Sequence, residues 1–188
     1  MKQITILMTL FSMISFSQNN EALPYYELPD YSESYTAGTV AARLVDGLGF
    51  RYYWATEGLK DEDLAYKPKD DVRSTEETIN HILDLSYVIV NATLKKQNGK
   101  NDVSKMDAME KRKQTLINLK TAADILRTSD DIAQYKIMFG EREIPFWNNI
   151  NGPIADAIWH CGQLASFRRS SGNPINPNIN HFTGTVKK

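Results

Sequence analysis

The sequence contains three histidines, and two of them fall where the pattern is helical. His160 follows Asp156 by four residues. Positions i and i+4 share one helix face, with Cβ atoms roughly 5–6 Å apart. An imidazole and a carboxylate at that spacing can hold one metal ion. His81 stands on an earlier helical segment, and ligands projected inward from facing helices are a common way to build a metal site. Two imidazoles, one carboxylate and a position left for water form a known catalytic zinc arrangement and a known iron arrangement. The same residues also have ordinary roles. A helical His often serves as a hydrogen-bonded boundary residue, and Asp156 suits the first turn of a helix, where the dipole favours a negative charge.

Several neighbours carry two readings. Gln163, three residues after His160, can hydrogen-bond a ligand or a water at the site, or it can link two helices. Glu77 precedes His81 by four residues. Its place in Ser74-Thr75-Glu76-Glu77, a reciprocal capping box, explains it better than ligation does. Cys161 lies about 100° round the helix from His160 and is expected to pack in the core as a small hydrophobe. Arg168 and Arg169 suit the negative end of their helix; an anionic substrate at the mouth of the site would also suit them. His181 falls in a polar tail and is expected to be exposed.

These residues need helices to position them. A first helix is predicted over residues 36–57, with Val40, Leu44, Leu48, Tyr52 and Ala55 on one face. Gly38, Gly47, Gly49 and Gly58 weaken it locally, or let a neighbouring helix come close. Residues 60–73 are polar, include Pro68 and read as a loop. A second helix runs from the capping box to about residue 96, where Asn98-Gly99 closes it. Ile82, Leu85 and Ile89 form its apolar stripe, beside His81, Leu85, Val88 and Ala92. A third helix is predicted over residues 104–127, burying Met109, Leu116, Leu119, Ala123 and Leu126. Residues 130–151 read as an irregular connection with short extended pieces at 135–139 and 143–147. Gly152-Pro153 is expected to open the fourth helix, since proline lacks only an N–H that is unpaired there. That helix runs to about residue 170, and Gly172 is a suitable stop. The pattern predicts an all-α four-helix bundle whose long last connection lets the final helix join out of sequence order.

The ends and the composition set further bounds. Lys2, an apolar run over residues 4–16 and small Ser15 and Ser17 have the order of a secretory signal peptide, so residues 1–17 are read as a signal peptide. The run is shorter than the about 20 residues a membrane anchor needs, and no stable membrane insertion is expected after its removal. Residues 18–35 form an extended lead-in, 36–172 the bundle and 173–188 a tail. The expected location is periplasmic or secreted. Net charge is −1, with 22 basic and 23 acidic residues. They are interspersed, without the basic stripe of a nucleic-acid binder. The single Cys excludes an internal disulfide and a four-thiolate metal site, so stability rests on core packing.

The stretch from Asp156 to Leu164, then Phe167-Arg168-Arg169 and Gly172-Asn173-Pro174, resembles the last helix of the DinB-like family of DinB/YfiT type. That helix typically carries His-x-x-x-His, a small residue with Gln-Leu, an Arg and a terminating Gly. Asn80-His81-Ile82-Leu83, after the capping box, resembles the family's first His. The resemblance covers the mature chain in helix order and is most specific in the Gln-Leu helix. It implies a four-helix bundle of DinB/YfiT-like type, a divalent metal ion as cofactor and a possible homodimer. The implied ligands fall on His81, Asp156 and His160, with Gln163 and Arg168 as second-shell or substrate-binding residues. Asp156 stands where the family usually has His. The donor set therefore leaves zinc, nickel, manganese and iron as candidates. Some relatives are thiol-dependent transferases or isomerases. The function implied is that of an exported metal-dependent enzyme, a hydrolase or a thiol-dependent transferase, acting on a small molecule. The alternative is a non-catalytic bundle that binds a ligand or partner and keeps a relic of the site.

Overall fold

The computed structural model describes residues 22–187 and is mainly helical. The segment read as a signal peptide, residues 1–17, lies outside the described residues. The first helix, α1 (Ala37–Thr56), starts where Thr36 and Thr39 cap each other's backbone N–H. Its buried face carries Ala41, Ala42, Val45, Leu48, Tyr52 and Ala55. Leu48, Tyr52 and Ala55 of the predicted face are buried, whereas Val40 and Leu44, in the first half of the helix, are 49% and 40% exposed. Small residues govern the contact here. A side chain at Gly38 would overlap the carbonyls of Leu126 and Ser129, and one at Gly49 would overlap the Tyr25 ring. At its N-terminal end the helix thus turns Gly38, Ala41 and Ala42 inward and Val40 and Leu44 out.

Part of the predicted loop after α1 folds into a short helix, α2 (Asp61–Ala65). Three acids in its first turn suit the helix dipole, and Asp63 accepts from the Lys60 N–H at 3.0 Å. α3 (Thr75–Thr93) opens on the expected box: Ser74 Oγ accepts from the Glu77 N–H at 3.1 Å, and the Ser74 N–H donates to Glu77 Oε2 at 2.7 Å. Ile79, Ile82 and Ile89 are buried, whereas Leu85 and Val88 are half-buried. α4 (Ala108–Arg127) starts later than predicted because Asp107 and Glu110 form another box. Met109 then falls in the first turn, 63% exposed, while Leu116, Leu119, Ala123 and Leu126 are buried as expected.

The irregular connection contains an antiparallel hairpin, β1 (Ile137–Phe139) with β2 (Arg142–Ile144). The last helix is then reached early. α5 (Phe146–Asn149) passes through a π turn at Ile150–Ile154 into α6 (Ala155–Ser171). Gly152-Pro153 does not open this helix; it sits inside the π turn. Proline removes one helical hydrogen bond and presses on the carbonyl four residues back, and the wider π turn accommodates both. Gly172 ends α6 at φ 90°, a left-handed conformation that glycine takes without strain.

α1 packs on α4 and α6, and α3 packs on the same two helices. Each long helix therefore touches two others, around a core of Leu48, Tyr52, Ile79, Ile82, Leu116, Leu119 and Leu164. The segment read as a tail is docked on the fold. β3 (Ile179–Asn180) and β4 (Thr185–Val186) pair, and the Leu28 N–H donates to the Gly184 carbonyl at 2.8 Å. The lead-in is anchored by Tyr25, whose hydroxyl donates to buried Asp46 at 3.2 Å. Arg127 reaches the other Asp46 oxygen at 2.9 Å. Burial pushes the Asp46 carboxyl up, and Arg127 and Tyr25 pull it back.

Candidate metal centre

α3 and α6 lie side by side, and their contact brings together residues distant in the sequence. His81 comes from α3. Asp156 and His160 come from successive turns of α6. His81 Nε2 is 3.0 Å from Asp156 Oδ2, and His160 Nε2 is 3.4 Å from Asp156 Oδ1. The imidazole rings meet edge to face with centroids 4.7 Å apart. One potential ligand atom from each residue lies within 4.8 Å of the other two. Four ligands at about 2.1 Å around a tetrahedral ion stand roughly 3.4 Å from one another; the two His–Asp separations of 3.0 and 3.4 Å are near that value, and the group could hold a metal ion. Mixed nitrogen and oxygen donors suit zinc, nickel, manganese or iron. Side-chain exposure rises from 13% at His160 to 27% at His81 and 43% at Asp156, so the cluster opens to solvent on the carboxylate side.

Gln163 belongs to the same group. Its Oε1 is 2.8 Å from His160 Nδ1. A carbonyl oxygen can only accept there, so Nδ1 carries a proton, and Nε2 is the ring atom directed to Asp156. Partners of this kind orient a ligating His and fix its tautomer. The contact made by Gln163 is with His160 on its own helix, and among the described residues it forms no hydrogen bond to another helix.

The π turn ends immediately before Ala155 and touches α3. It thereby sets the rotation of Asp156 and His160 relative to His81. The sequence reading missed it, although Pro153 inside a helical pattern was its signal. π turns occur often at functional positions.

Arg168 does not join the cluster. It is 4% exposed, and its guanidinium is turned to the end of α1. Nη1 donates to the carbonyls of Glu57 at 2.7 Å, Trp54 at 3.1 Å and Ala55 at 3.4 Å. Nε donates to the Asn173 backbone carbonyl at 2.8 Å, and Nη2 donates to Asn173 Oδ1 at 3.1 Å. The last carbonyls of a helix lack partners within it, and Arg168 supplies them. The substrate-binding role is therefore withdrawn for this residue. Arg169 is exposed and turns back to the Ala165 carbonyl. Glu77 is committed to its cap and to Lys67. Cys161 is buried, as expected, and burial pushes its thiol up to about 12, against a smaller opposing effect of Arg51. His181 is exposed, as expected, and stacks edge-on against Phe50.

Comparison with known proteins assigns no family: no protein-family model matches the chain, and neither the curated proteins nor the solved structures contain a significant match. Among the described residues no helix is long and apolar enough to cross a membrane.

Proposed function

We propose that the protein is an exported metal-dependent enzyme of DinB-like type, a four-helix bundle holding one divalent ion between His81, Asp156 and His160. The observation that carries this reading is the convergence of three ligand atoms from helices 75 residues apart in the chain. The ring of four long helices and the long connection before the last are consistent with a bundle of that type. Gln163 adds the oriented imidazole that a metal site requires. A bound ion would supply Lewis acidity, bringing the pKa of a water or thiol to near neutral. His160 and Asp156 hold the site from one helix and His81 closes it from the other. The exposed carboxylate side leaves an approach for a small-molecule substrate. Interspersed charge argues against a nucleic-acid substrate. For the homodimer implied by the resemblance, α1 offers an apolar surface at Val40 and Leu44, flanked by Tyr35 and Trp147.

A second reading has its own observation. The 3.0 Å contact of His81 with Asp156 is also what a hydrogen-bonded pair in a non-catalytic bundle would make. One experiment separates the two. Protein purified without an affinity tag is analysed for metals, then melted with and without chelator. A metal that binds only the folded state contributes about 2.7 kcal/mol at a hundredfold excess over its Kd, so the chelator is expected to lower the wild-type Tm by roughly 5–10 °C. His160→Ala is expected to melt at one temperature in both conditions. A wild-type Tm indifferent to chelator, with no zinc, nickel, manganese or iron in the purified protein, favours the non-catalytic bundle.

A further inference from the structure

On α6, Ile158 and Gly162 each lie about 200° round the helix from a metal-cluster residue, Asp156 and His160 respectively. With Ala165 they form a stripe at steps of four and three residues. This stripe borders a cavity of about 200 Å³ between α6, α1 and the C-terminal tail. Arg51 enters it from α1, and Ile175 and His181 close it from the tail. Nothing lies within 4 Å of the position a side chain on Gly162 would first occupy, so the hollow stands open above that residue.

Arg51 is the unbalanced element. Its Nη1 donates to the Gly47 carbonyl one turn back at 2.9 Å, and this holds the guanidinium against its own helix. Among the described residues it forms no ion pair with a carboxylate. A guanidinium has five N–H donors, and one is engaged here. A half-buried cation beside apolar walls calls for an anion, and a carboxylate matches its fork best. Partial burial, helped by the Arg51 charge, lowers the His181 imidazole below its usual value, which disfavours a second charge there. The ring can still contribute a hydrogen bond. Size narrows the ligand further. An apolar cavity of about 150 Å³ accommodates benzene, so this one has room for a ring-sized body with a small polar head.

We propose that this cavity binds a small monocarboxylate with a flat or branched apolar body, about the size of benzoate. The head lies on Arg51 and the body between Ile158, Ala165 and Ile175. The proposal is independent of the metal reading.

The test is an NMR titration of the protein with benzoate, following the His181 ring and the Gly162 amide. EDTA is present throughout, so that coordination at the histidine cluster cannot contribute. The expected result is saturable shifts at both residues with a Kd of about 1 mM or tighter. Benzamide, a neutral molecule of the same shape, is expected to bind about tenfold more weakly or worse, and Arg51→Gln to weaken benzoate equally. Gly162→Leu fills the hollow from a helix position where leucine is favoured over glycine; it is expected to keep its melting temperature and lose binding. Equal affinity for benzamide and benzoate, benzoate binding that survives Gly162→Leu, or no shift at about 10 mM benzoate would overturn the proposal.

Discussion

The two carboxylate oxygens of Asp156 are directed to different histidines, Oδ2 to His81 and Oδ1 to His160. One residue therefore ties both imidazoles, and its replacement should be informative. Under the metal reading Asp156→Ala weakens zinc binding, because two ligands hold a divalent ion poorly against water. Asp156→His is expected to retain or strengthen it. Gln163→Leu removes only the partner of His160 Nδ1, and a loss of about 10–100-fold in zinc affinity is expected. Competition titration with a chromophoric chelator measures all three. Unchanged affinity in Gln163→Leu would assign that hydrogen bond to helix packing. Asp156 and His160 were legible because their i, i+4 spacing is a property of one helix. The Arg168 contacts were not, because three of its acceptors lie at the end of α1, more than 110 residues earlier. No local pattern reports such a pairing.

At the scale of elements, α2 closes the end of the helix pair α1 and α6. Asp63 is its key: it is buried and accepts from Ser171 Oγ at 2.6 Å, Asn173 Nδ2 at 2.6 Å and the Lys60 N–H at 3.0 Å. Burial alone would raise its carboxyl, but these hydrogen bonds, with the nearby Arg168 charge, outweigh it and hold the carboxyl below its ordinary value of 3.8. A depressed folded-state pKa stabilises the fold above the unfolded value, and this contribution disappears as pH falls through the folded value. Asp63→Asn should thus be less stable than wild type by about 1–3 kcal/mol at pH 7, and the gap should narrow below about pH 4. Urea melts at pH 7 and at pH 3 check this; a gap that stays constant would mean the charge is irrelevant. The start of α3 was readable from its capping box. The start of α4 was equally available in Asp107-Ala108-Met109-Glu110, yet the polar run before it drew the predicted boundary to residue 104. At the start of α1, hydrophobic periodicity weighs Val40 above Gly38, although Gly38 faces the Leu126 carbonyl at the end of α4.

Across the whole molecule, the segments outside the helices fasten one another. The lead-in is fixed to α1 by Tyr25 and Asp46, and the tail hairpin is fixed to the lead-in through Leu28 and Glu27. Gly184 sits at this junction with φ 73°, and a side chain there would overlap Leu28. Gly184→Val combines that overlap with a backbone conformation that valine avoids, and a loss of about 1–3 kcal/mol is expected. Thermal unfolding gives the value; an unchanged Tm would show that the tail adds nothing to the fold. Composition marked residues 173–188 only as a tail, because of their prolines and asparagines. Its docking depends on a partner at the other end of the chain, which composition does not register.

That junction has a consequence for connectivity. The Val186 N–H donates to Glu27 at 3.0 Å, so the end of the tail hairpin meets the lead-in five residues after Ala22. A flexible peptide from Lys187 to Ala22 is the link a rearranged chain would need. Residues 69–73 are exposed, and the chain could be opened there instead. Such a circular permutant would keep every helix contact, and His81, Asp156 and His160 would follow one another in an otherwise unaltered order. The order in which this polypeptide is read is thus separable from the arrangement that gathers its histidines.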